Sequence, residues 1–172
     1  MSITASMAEE FFAPLFGIDE AVAWREKLRA QKKSVVFTNG VFDIIHAGHV
    51  EYLAWARAQG DALLLGLNMD ESVRRIKGER RPLVPFSERA RILRALCCVD
   101  AVVGFSQKTP EVLLDRIKPN VHVKSAQYRE EELPERAVVL QGGGRIALAP
   151  HQSGRSTTDV IATILQRYGQ DD

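Results

Sequence analysis

The sequence is poor in cysteine and holds no long apolar run, and both absences narrow the classes of protein that it can encode. Its only two cysteines are Cys97 and Cys98. Neighbouring Cα atoms lie about 3.8 Å apart, which is too close for ordinary disulfide geometry. No apolar segment approaches the roughly 20 residues that a membrane-spanning helix needs. We therefore expect a reduced, cytoplasmic setting and no membrane partner.

The sequence also lacks an excess of charge of either sign. It has 23 basic against 22 acidic side chains, a formal net charge of +1. Because proteins that coat nucleic acid carry a marked positive surplus, we expect no nucleic-acid partner. With 45% hydrophobic and 26% charged residues, the 172-residue chain suits one globular domain. We predict that domain over 19–170, after an irregular segment over 1–18.

Apolar periodicity predicts strands that alternate with helices. Helices are predicted over 19–31, 48–59, 87–97, 110–118 and 156–168, and strands over 34–38, 62–68, 101–105, 121–124, 137–140 and 146–149. This alternation is typical of a parallel sheet with helices on both faces. The predicted fold class is therefore α/β, with a Rossmann-like, doubly wound sheet. In such sheets ligands bind at the carboxyl ends of the strands, where the strand order reverses.

The loop after the first predicted strand, over 38–49, reads Thr-Asn-Gly-Val-Phe-Asp-Ile-Ile-His-Ala-Gly-His. Its amides and the following helix N-terminus can receive phosphate, and Gly40 lets the backbone approach a ligand closely. His46 and His49 are three residues apart, which places both rings on one face of the first helical turn. Gly48 between them leaves room for a bulky ligand. Two ring donors beside a helix N-terminus suit a polyphosphate.

Two other interpretations of this histidine pair stay open. One histidine caps the helix while the other lies on the surface, or the pair ligates a metal. No cysteine or third histidine stands at a matching spacing for a zinc site. The remaining histidines, His122 and His151, are isolated in the sequence, and we expect them to be structural.

The pattern Gly-x-Phe-Asp-x-x-His-x-Gly-His, complete over 40–49, resembles the signature of the cytidylyltransferase-like nucleotidyltransferase superfamily. A second element of that superfamily, Ser-Thr-Thr at the start of a late helix, is matched by 156–158 after Arg155. Hydroxyls and amides at such a position bind phosphates well. A simpler role for Ser156 is an N-cap that forms a capping box with Asp159.

Within the superfamily the chain is most similar, over about 19–169, to the adenylyltransferases that activate D-glycero-β-D-manno-heptose 1-phosphate. The likeness includes 37–40, 43–49, 68–70, 77–78 and 88–89. It implies transfer of AMP from ATP to a sugar phosphate, release of pyrophosphate, Mg²⁺ accompanying ATP, and a homodimer. That family is often fused to a sugar kinase, for which this chain has no room, so the stand-alone form is expected.

The resemblance also implies roles for individual residues. His46, His49, Lys77 and Arg89 are expected to be catalytic. The expected nucleotide-binding residues are Thr38, Asn39, Gly40, Phe42, His46, Gly48, His49, Lys124, Arg155, Ser156, Thr157 and Thr158. The expected acceptor-binding residues are Asp43, Lys77, Arg89 and Gln127. Asp43 alternatively helps to hold Mg²⁺, and Lys77 is alternatively a solvated lysine among neighbouring arginines.

One loop departs from the family pattern. Where the heptose enzymes read Val-Lys-Gly-Gly-Asp-Tyr, this chain reads Val-Lys-Ser-Ala-Gln-Tyr over 123–128. Ser125 and Ala126 narrow a close backbone approach, and Gln127 donates as well as accepts hydrogen bonds. Other acceptors therefore stay open, such as glycerol 3-phosphate with CTP or flavin mononucleotide with ATP, as does a nucleotide-binding regulator without turnover. A Rossmann oxidoreductase is disfavoured because the first loop lacks Gly-x-Gly-x-x-Gly.

Overall fold

The structure is a computed structural model, and it describes residues 9–150 and 156–169. The strands are β1 (Leu15–Phe16), β2 (Val35–Gly40), β3 (Ala62–Asn68), β4 (Ala101–Phe105), β5 (Val121–Ser125) and β6 (Arg145–Ala149). The helices are α1 (Ile18–Ala30), α2 (Ala47–Arg57), α3 (Asp70–Lys77), α4 (Phe86–Arg94), α5 (Glu111–Ile117), α6 (Arg136–Gln141) and α7 (Thr157–Tyr168).

The strands form one parallel sheet in the order β1-β4-β3-β2-β5-β6. After the edge strand β1, the chain forms β2 at the centre of the sheet and adds β3 and β4 on one side of it. It then crosses to the other side of β2 and adds β5 and β6. The strand order therefore reverses between β2 and β5, where Val36 pairs with Val121. This arrangement confirms the predicted doubly wound α/β fold.

Helices cover both faces of the sheet because successive side chains of each strand point to opposite sides. Leu63 and Leu65 of β3 join an apolar cluster with Leu53 of α2. Leu64 faces the other way and joins a second cluster with Leu114 of α5. All of β3 is buried, as expected for a central strand covered on both faces. The two clusters fix the sheet between the helical layers.

The predicted strand over 137–140 is wrong, because these residues belong to α6. The run Ala-Val-Val-Leu is typical of a strand, but here Val139 packs into the cluster beneath the sheet. The helix ends in a glycine turn, where the Gly144 amide donates to the carbonyl of Val139 at 3.0 Å and Gly143 adopts a φ of 79°. Tertiary packing therefore overrides the local strand preference.

The segment over 1–18, predicted to be irregular, contains β1, which pairs in parallel with β4. Two residues are too few to show an alternating pattern. Helix α1 begins at Ile18 rather than at 19, and the amide of its N-cap Gly17 donates to Glu20 at 2.7 Å. Helix α3 was not predicted because its eight residues hold only two apolar side chains, Val73 and Ile76.

Across residues 9–150 and 156–169, no helix combines the length and the apolar character needed to cross a membrane. Cys97 and Cys98 are free thiols, the first exposed and the second half-buried.

Candidate active site

A cavity of about 450 Å³ opens at the carboxyl ends of β2 and β5, where the strand order reverses. Small-molecule sites commonly measure about 300–1,000 Å³, so this volume suits a nucleotide-sized ligand. The predicted nucleotide-binding residues that line it are Asn39, Gly40, Phe42, His46, Gly48, His49, Lys124, Ser156 and Thr157. The predicted acceptor-binding residue Gln127 lines it as well.

Helix α2 presents one face to this cavity. Gly48, Glu51, Tyr52 and Trp55 all line it, and residues spaced by three, four and seven positions lie on one side of a helix. Sequence reasoning missed the last three, although the helical period counted from Gly48 points to them. The other lining residues that were not predicted as site residues are Val41, Ser125, Tyr128, Ala149 and Pro150.

His46 and His49 stack on each other at the start of α2. Their ring centroids lie 3.8 Å apart and their planes differ by 26°. His46 occupies the N-cap position, but its side chain makes no capping hydrogen bond. Both rings line the cavity, so the interpretation as a capping side chain and a surface histidine is wrong. The pair instead forms one wall at the helix N-terminus.

Two polar atoms in this wall are buried without a partner among the described residues: Nδ1 of His49 and Oδ1 of Asn39. Leaving buried polar atoms unpaired is costly, so these atoms mark positions for polar groups of a ligand. Burial, with a smaller contribution from His46, lowers the pKa of His49 to about 4. His49 is therefore a neutral imidazole at pH 7 when no ligand is bound.

Gly40 is required by Phe42, which folds back over it. A Cβ at Gly40 would lie 2.7 Å from Cε2 of the Phe42 ring. Phe42 itself adopts a φ of 46°, a left-handed conformation that bulky residues rarely take. Its ring also lies 5.2 Å from that of His49. The aromatic position of the motif thus shapes the cavity and supports the histidine pair.

Asp43 is buried beneath the loop and does not line the cavity. Its carboxylate accepts hydrogen bonds from the amides of Leu83 at 2.9 Å and Val84 at 2.8 Å, and from Arg81. Burial opposes ionisation, but these hydrogen bonds outweigh it and lower the pKa of Asp43. Neither the Mg²⁺ role nor the acceptor role agrees with this geometry. Asp43 instead ties the histidine loop to the segment 81–84.

Arg89 is fully buried and does not line the cavity. Its Nε donates to the carbonyl of Val84 at 2.9 Å, and its Nη2 donates to the carbonyl of Asn68 at 2.9 Å and to Asp70 at 2.7 Å. Its Nη1 donates to the carbonyl of Val41 in the histidine loop. All three nitrogens are engaged by the chain, so the structure makes Arg89 a support for the loop and not a phosphate contact.

Three further predicted residues do not line the cavity. Thr38 is buried, and its hydroxyl lies 2.7 Å from the hydroxyl of Tyr52. This hydrogen bond connects β2 to α2. Lys77 is exposed at the end of α3. Thr158 lies in the first turn of α7. Two predictions, for Arg155 and His151, lie outside the described residues.

Ser156 caps α7 and also lines the cavity. Its hydroxyl accepts a hydrogen bond from the Asp159 amide at 3.1 Å, while the Asp159 carboxylate accepts one from the Ser156 amide at 3.0 Å. The predicted capping box is therefore present. Because Thr157 lines the same cavity, the start of α7 faces the histidine pair, as the resemblance implies.

Residues 37–162, which include the histidine loop and the start of α7, match the model of the cytidylyltransferase-like family. The chain belongs to the cytidylyltransferase-like family. The predicted family membership is therefore confirmed. The matched range contains the end of β2, all of β3 to β6 and every residue that lines the cavity.

Curated relatives of this cytidylyltransferase-like chain include bifunctional proteins named HldE. The protein of Geobacter metallireducens is 47% identical over 159 residues, which cover 92% of this chain and 32% of the relative. That of Geobacter sulfurreducens is 51% identical over 83% of this chain and 29% of the relative. That of Streptomyces coelicolor is 44% identical over 90% and 34%. The chain spans about a third of the length of these relatives.

Two solved structures share the cytidylyltransferase-like fold. The lipopolysaccharide core biosynthesis protein of Thermoplasma volcanium matches with a TM-score of 0.58 and 22% identity, over 70% of this chain and 99% of that one. Pantoate-beta-alanine ligase of Francisella tularensis, solved with beta-gamma ATP and beta-alanine, matches with a TM-score of 0.57 and 13% identity, over 94% and 80%. At such low identity these matches show the fold alone.

In this cytidylyltransferase-like site, a buried carboxylate holds Lys124 at the cavity wall. Oε1 of Glu135 lies 2.8 Å from Nζ of Lys124 and 3.2 Å from Nε2 of His122. Burial opposes ionisation of Glu135, but the hydrogen bonds from His122 and Lys124 outweigh it and lower its pKa to about 2. His122 is thus structural, as predicted. Sequence reasoning missed Glu135, which no motif distinguishes from its acidic neighbours.

Replacing Glu135 with glutamine should destabilise the fold by about 1.5–3 kcal/mol at pH 7, because Lys124 and His122 lose a charged acceptor. The folded pKa of Glu135, about 2, lies below its ordinary value of 4.5. Its contribution is therefore fully present above pH 4.5 and is lost as the pH falls towards 2. Urea unfolding at several pH values should show the difference between wild type and Glu135→Gln shrinking across that window.

The matched control is Glu132→Gln, which removes an exposed carboxylate from the same segment. It should change the free energy of unfolding by less than about 1 kcal/mol. A Glu135→Gln deficit that stays constant from pH 7 to pH 2 would show that the ionised carboxylate does not stabilise this wall.

Proposed function

We propose that this protein transfers AMP from ATP to D-glycero-β-D-manno-heptose 1-phosphate and releases pyrophosphate. The observation that carries the proposal is the stacked pair His46 and His49 at the N-terminus of α2, in a cavity at the reversal of the strand order. Membership of the cytidylyltransferase-like family supports nucleotidyl transfer. The likeness of the segments 37–40, 43–49, 68–70, 77–78 and 88–89 to heptose 1-phosphate adenylyltransferases supports the acceptor.

The reaction is an in-line displacement at the α-phosphorus of ATP. A phosphate oxygen of the acceptor forms the new P–O bond, and the bond to the bridging oxygen breaks, so that pyrophosphate leaves with the electron pair. A phosphate group carries about 1.5–2 negative charges at neutral pH. The nucleophile therefore needs no general base, and catalysis rests on positioning and charge stabilisation.

The histidine pair is placed to stabilise the departing pyrophosphate. In this proposal, ring N–H donors beside a helix N-terminus contact the phosphate oxygens on which negative charge grows. Lys124, held by Glu135, supplies a positive charge to the same cavity. Thr157 offers a hydroxyl and an amide from the first turn of α7, while Ser156, whose amide and hydroxyl both donate to Asp159, orients that turn. Arg155 is a proposed further phosphate contact.

Mg²⁺ enters this scheme with ATP, as part of the substrate complex. Within the described residues, no group of three or more His, Cys, Asp or Glu is arranged to hold a metal ion. Asp43, the carboxylate expected to help, is occupied by Arg81 and two backbone amides. We propose that the phosphates of ATP, and not a carboxylate cluster of the chain, hold the Mg²⁺ ion.

The acceptor is proposed to lie beside Gln127, in the segment that departs from the family pattern. Gln127 and Ser125 both line the cavity, and the backbone amide of Gln127 donates to Oγ of Ser125 at 3.4 Å. An amide side chain here offers both a donor and an acceptor to sugar hydroxyls. We further propose a homodimer in the cytoplasm, which the family likeness and the free thiols support.

Pyrophosphate release tests the proposal. The protein with Mg²⁺ and either ATP or CTP is supplied in turn with heptose 1-phosphate, glycerol 3-phosphate or flavin mononucleotide. Release with ATP and heptose 1-phosphate alone would support the proposal. Release with another pair would retain nucleotidyl transfer and reassign the acceptor. Nucleotide binding without release from any pair would favour a regulator.

Binding of MgATP at pH 6 should be accompanied by proton uptake. The pKa of His49 is about 4, and an adjacent polyphosphate should raise it because negative charge favours the imidazolium. The affinity for MgATP should therefore increase as the pH falls from 7 to 5, more for wild type than for His49→Asn. Calorimetry in two buffers of different ionisation enthalpy measures the uptake. Equal uptake by both proteins would exclude His49 as its source.

A further inference from the structure

A second cavity, of about 280 Å³, lies at the opposite end of the sheet from the candidate active site. Its wall includes Ser34 and Asn120, which directly precede β2 and β5. The active-site cavity lies where the same two strands end, at Gly40 and Ser125. The length of the sheet therefore separates the two cavities, and a ligand in one does not touch the other.

Cationic side chains dominate the wall of the second cavity: Arg25, Arg29, Lys32, Lys33 and Lys118. Within the described residues, no Asp or Glu lines this cavity. This concentration is local, because the whole chain carries a formal net charge of only +1. Its grouping comes from two places in the sequence, the end of α1 and the residue after α5. The cavity is thus a strongly positive pocket on a nearly neutral protein.

Nearby negative charges offset only part of this positive charge. Arg29 pairs with the exposed Glu26 at 3.3 Å, and Asp61, which accepts from Ser34, also faces Lys33. The carboxyl ends of α1, α5 and α6 add partial charges of about −0.5 each at most. A surplus of positive charge remains for an anion.

Arg25 distinguishes this cavity from an ordinary basic surface. The residue is 3% exposed, and its Nε donates to the carbonyl of Lys118 at 3.2 Å. Its Nη1 is buried without a hydrogen-bond partner, and none of the ion pairs within the described residues includes Arg25. Glu26 offsets part of the charge of Arg25 without forming an ion pair with it, so an anion within hydrogen-bonding distance would stabilise this buried guanidinium.

We propose that this cavity is a second anion site, which binds a small phosphate compound with two or more negative charges, such as pyrophosphate or a phosphate monoester. The guanidinium of Arg25 and the surrounding ammonium groups match the oxygens of a phosphate in charge and in hydrogen bonding. The site is independent of the proposed transferase reaction, because none of its residues belongs to the active-site cavity.

Titration of ¹⁵N-labelled protein with pyrophosphate, without Mg²⁺ and at constant ionic strength, tests the site by NMR. The amides of Gly142 and Gly143 report the second cavity, and those of Gly40 and Gly48 report the first. Saturable shifts are expected at Gly142 and Gly143 in the wild-type protein. Their absence would overturn the proposal.

A double substitution, Lys32→Asn with Lys118→Asn, removes two charges from the wall. Both lysines adopt left-handed backbone conformations, with φ of 59° and 49°, which asparagine tolerates. The dissociation constant at the second cavity should rise by about tenfold or more, while that at the first stays unchanged. An unchanged constant at the second cavity would overturn the proposal.

The matched control is Lys27→Asn with Lys108→Asn, which removes the same charge from lysines that line neither cavity. This variant should bind pyrophosphate at the second cavity as wild type does. An equal loss in both lysine variants would indicate a general charge effect and overturn the proposal.

Arg25→Gln, tested in the same titration after its fold is verified by its amide spectrum, should also lose the shifts at Gly142 and Gly143. A folded Arg25→Gln protein with wild-type binding would overturn the role of the buried guanidinium.

Discussion

Replacing His49 with alanine should lower kcat for pyrophosphate release by about 10²–10³-fold, the usual effect of removing one preorganised donor to a developing negative charge. The ring lies in the cavity wall, stacked 3.8 Å from His46 and supported by Phe42. Its neutral state at pH 7 leaves a ring N–H available to the departing pyrophosphate. Steady-state kinetics with saturating substrates measures the effect.

The controls separate chemistry from folding. His49→Asn retains a hydrogen-bond donor and should keep more activity than His49→Ala, while thermal unfolding verifies that both variants fold. Because the two rings are in contact, the effects of His46→Ala and His49→Ala should not add in the double variant. A folded His49→Ala protein with wild-type kcat would contradict the catalytic role of His49. A raised KM with unchanged kcat would reduce the role to uniform binding.

Replacing Arg89 with methionine should destabilise the fold by about 3–5 kcal/mol, because it removes a fully buried guanidinium and leaves the buried groups that accept its hydrogen bonds unsatisfied. Arg89 is fully buried, and its partner Asp70 lies 2.7 Å away. The substitution also leaves the carbonyls of Val41, Val84 and Asn68 without their donor. Urea unfolding monitored by fluorescence measures the loss.

Arg74→Met is the matched control, because Arg74 is exposed on α3 and its loss should change stability by less than about 0.5 kcal/mol. Arg89→Lys should fall between wild type and Arg89→Met, since one ammonium replaces some of the donors. The phosphate-contact role implied by the family resemblance leads to a different result. It requires Arg89→Met to fold with near wild-type stability and to lose activity.

The candidate site could be predicted in so far as its residues are neighbours in the sequence. The loop over 38–49 carries the histidine pair, and its position after a strand and before a helix follows from local patterns. Glu51, Tyr52 and Trp55 lie on the helix that this loop opens, and their spacing from Gly48 was sufficient to find them. Glu135 was not predictable, because its contact with Lys124 depends on the fold of the intervening residues and on no local sequence pattern.

Burial decided which predicted polar residues reach the ligand cavity. Asp43 belongs to the same loop as residues that line the cavity, and Arg89 belongs to a separate segment of the family likeness. Both are buried, and both form hydrogen bonds to segments about 40 or more residues away. The motif marks residues that the fold needs together, but it does not separate those that face a ligand from those that hold the loop. Sequence spacing does not show this difference, because the difference depends on which donors and acceptors, far away in the sequence, lie close in the folded structure.

The sequence by itself determined the doubly wound α/β fold, the family, and the histidine loop at the carboxyl end of β2, because these depend on local periodicity and on residues close together in the chain. The tertiary structure alone decided that α6 is a helix, that Arg89 and Asp43 support the loop, that Glu135 holds Lys124, and that Arg25 lies buried in a second, positive cavity. Each of these depends on partners brought together by folding, and the free energy of a buried charge is set by those partners and not by its neighbours in the sequence.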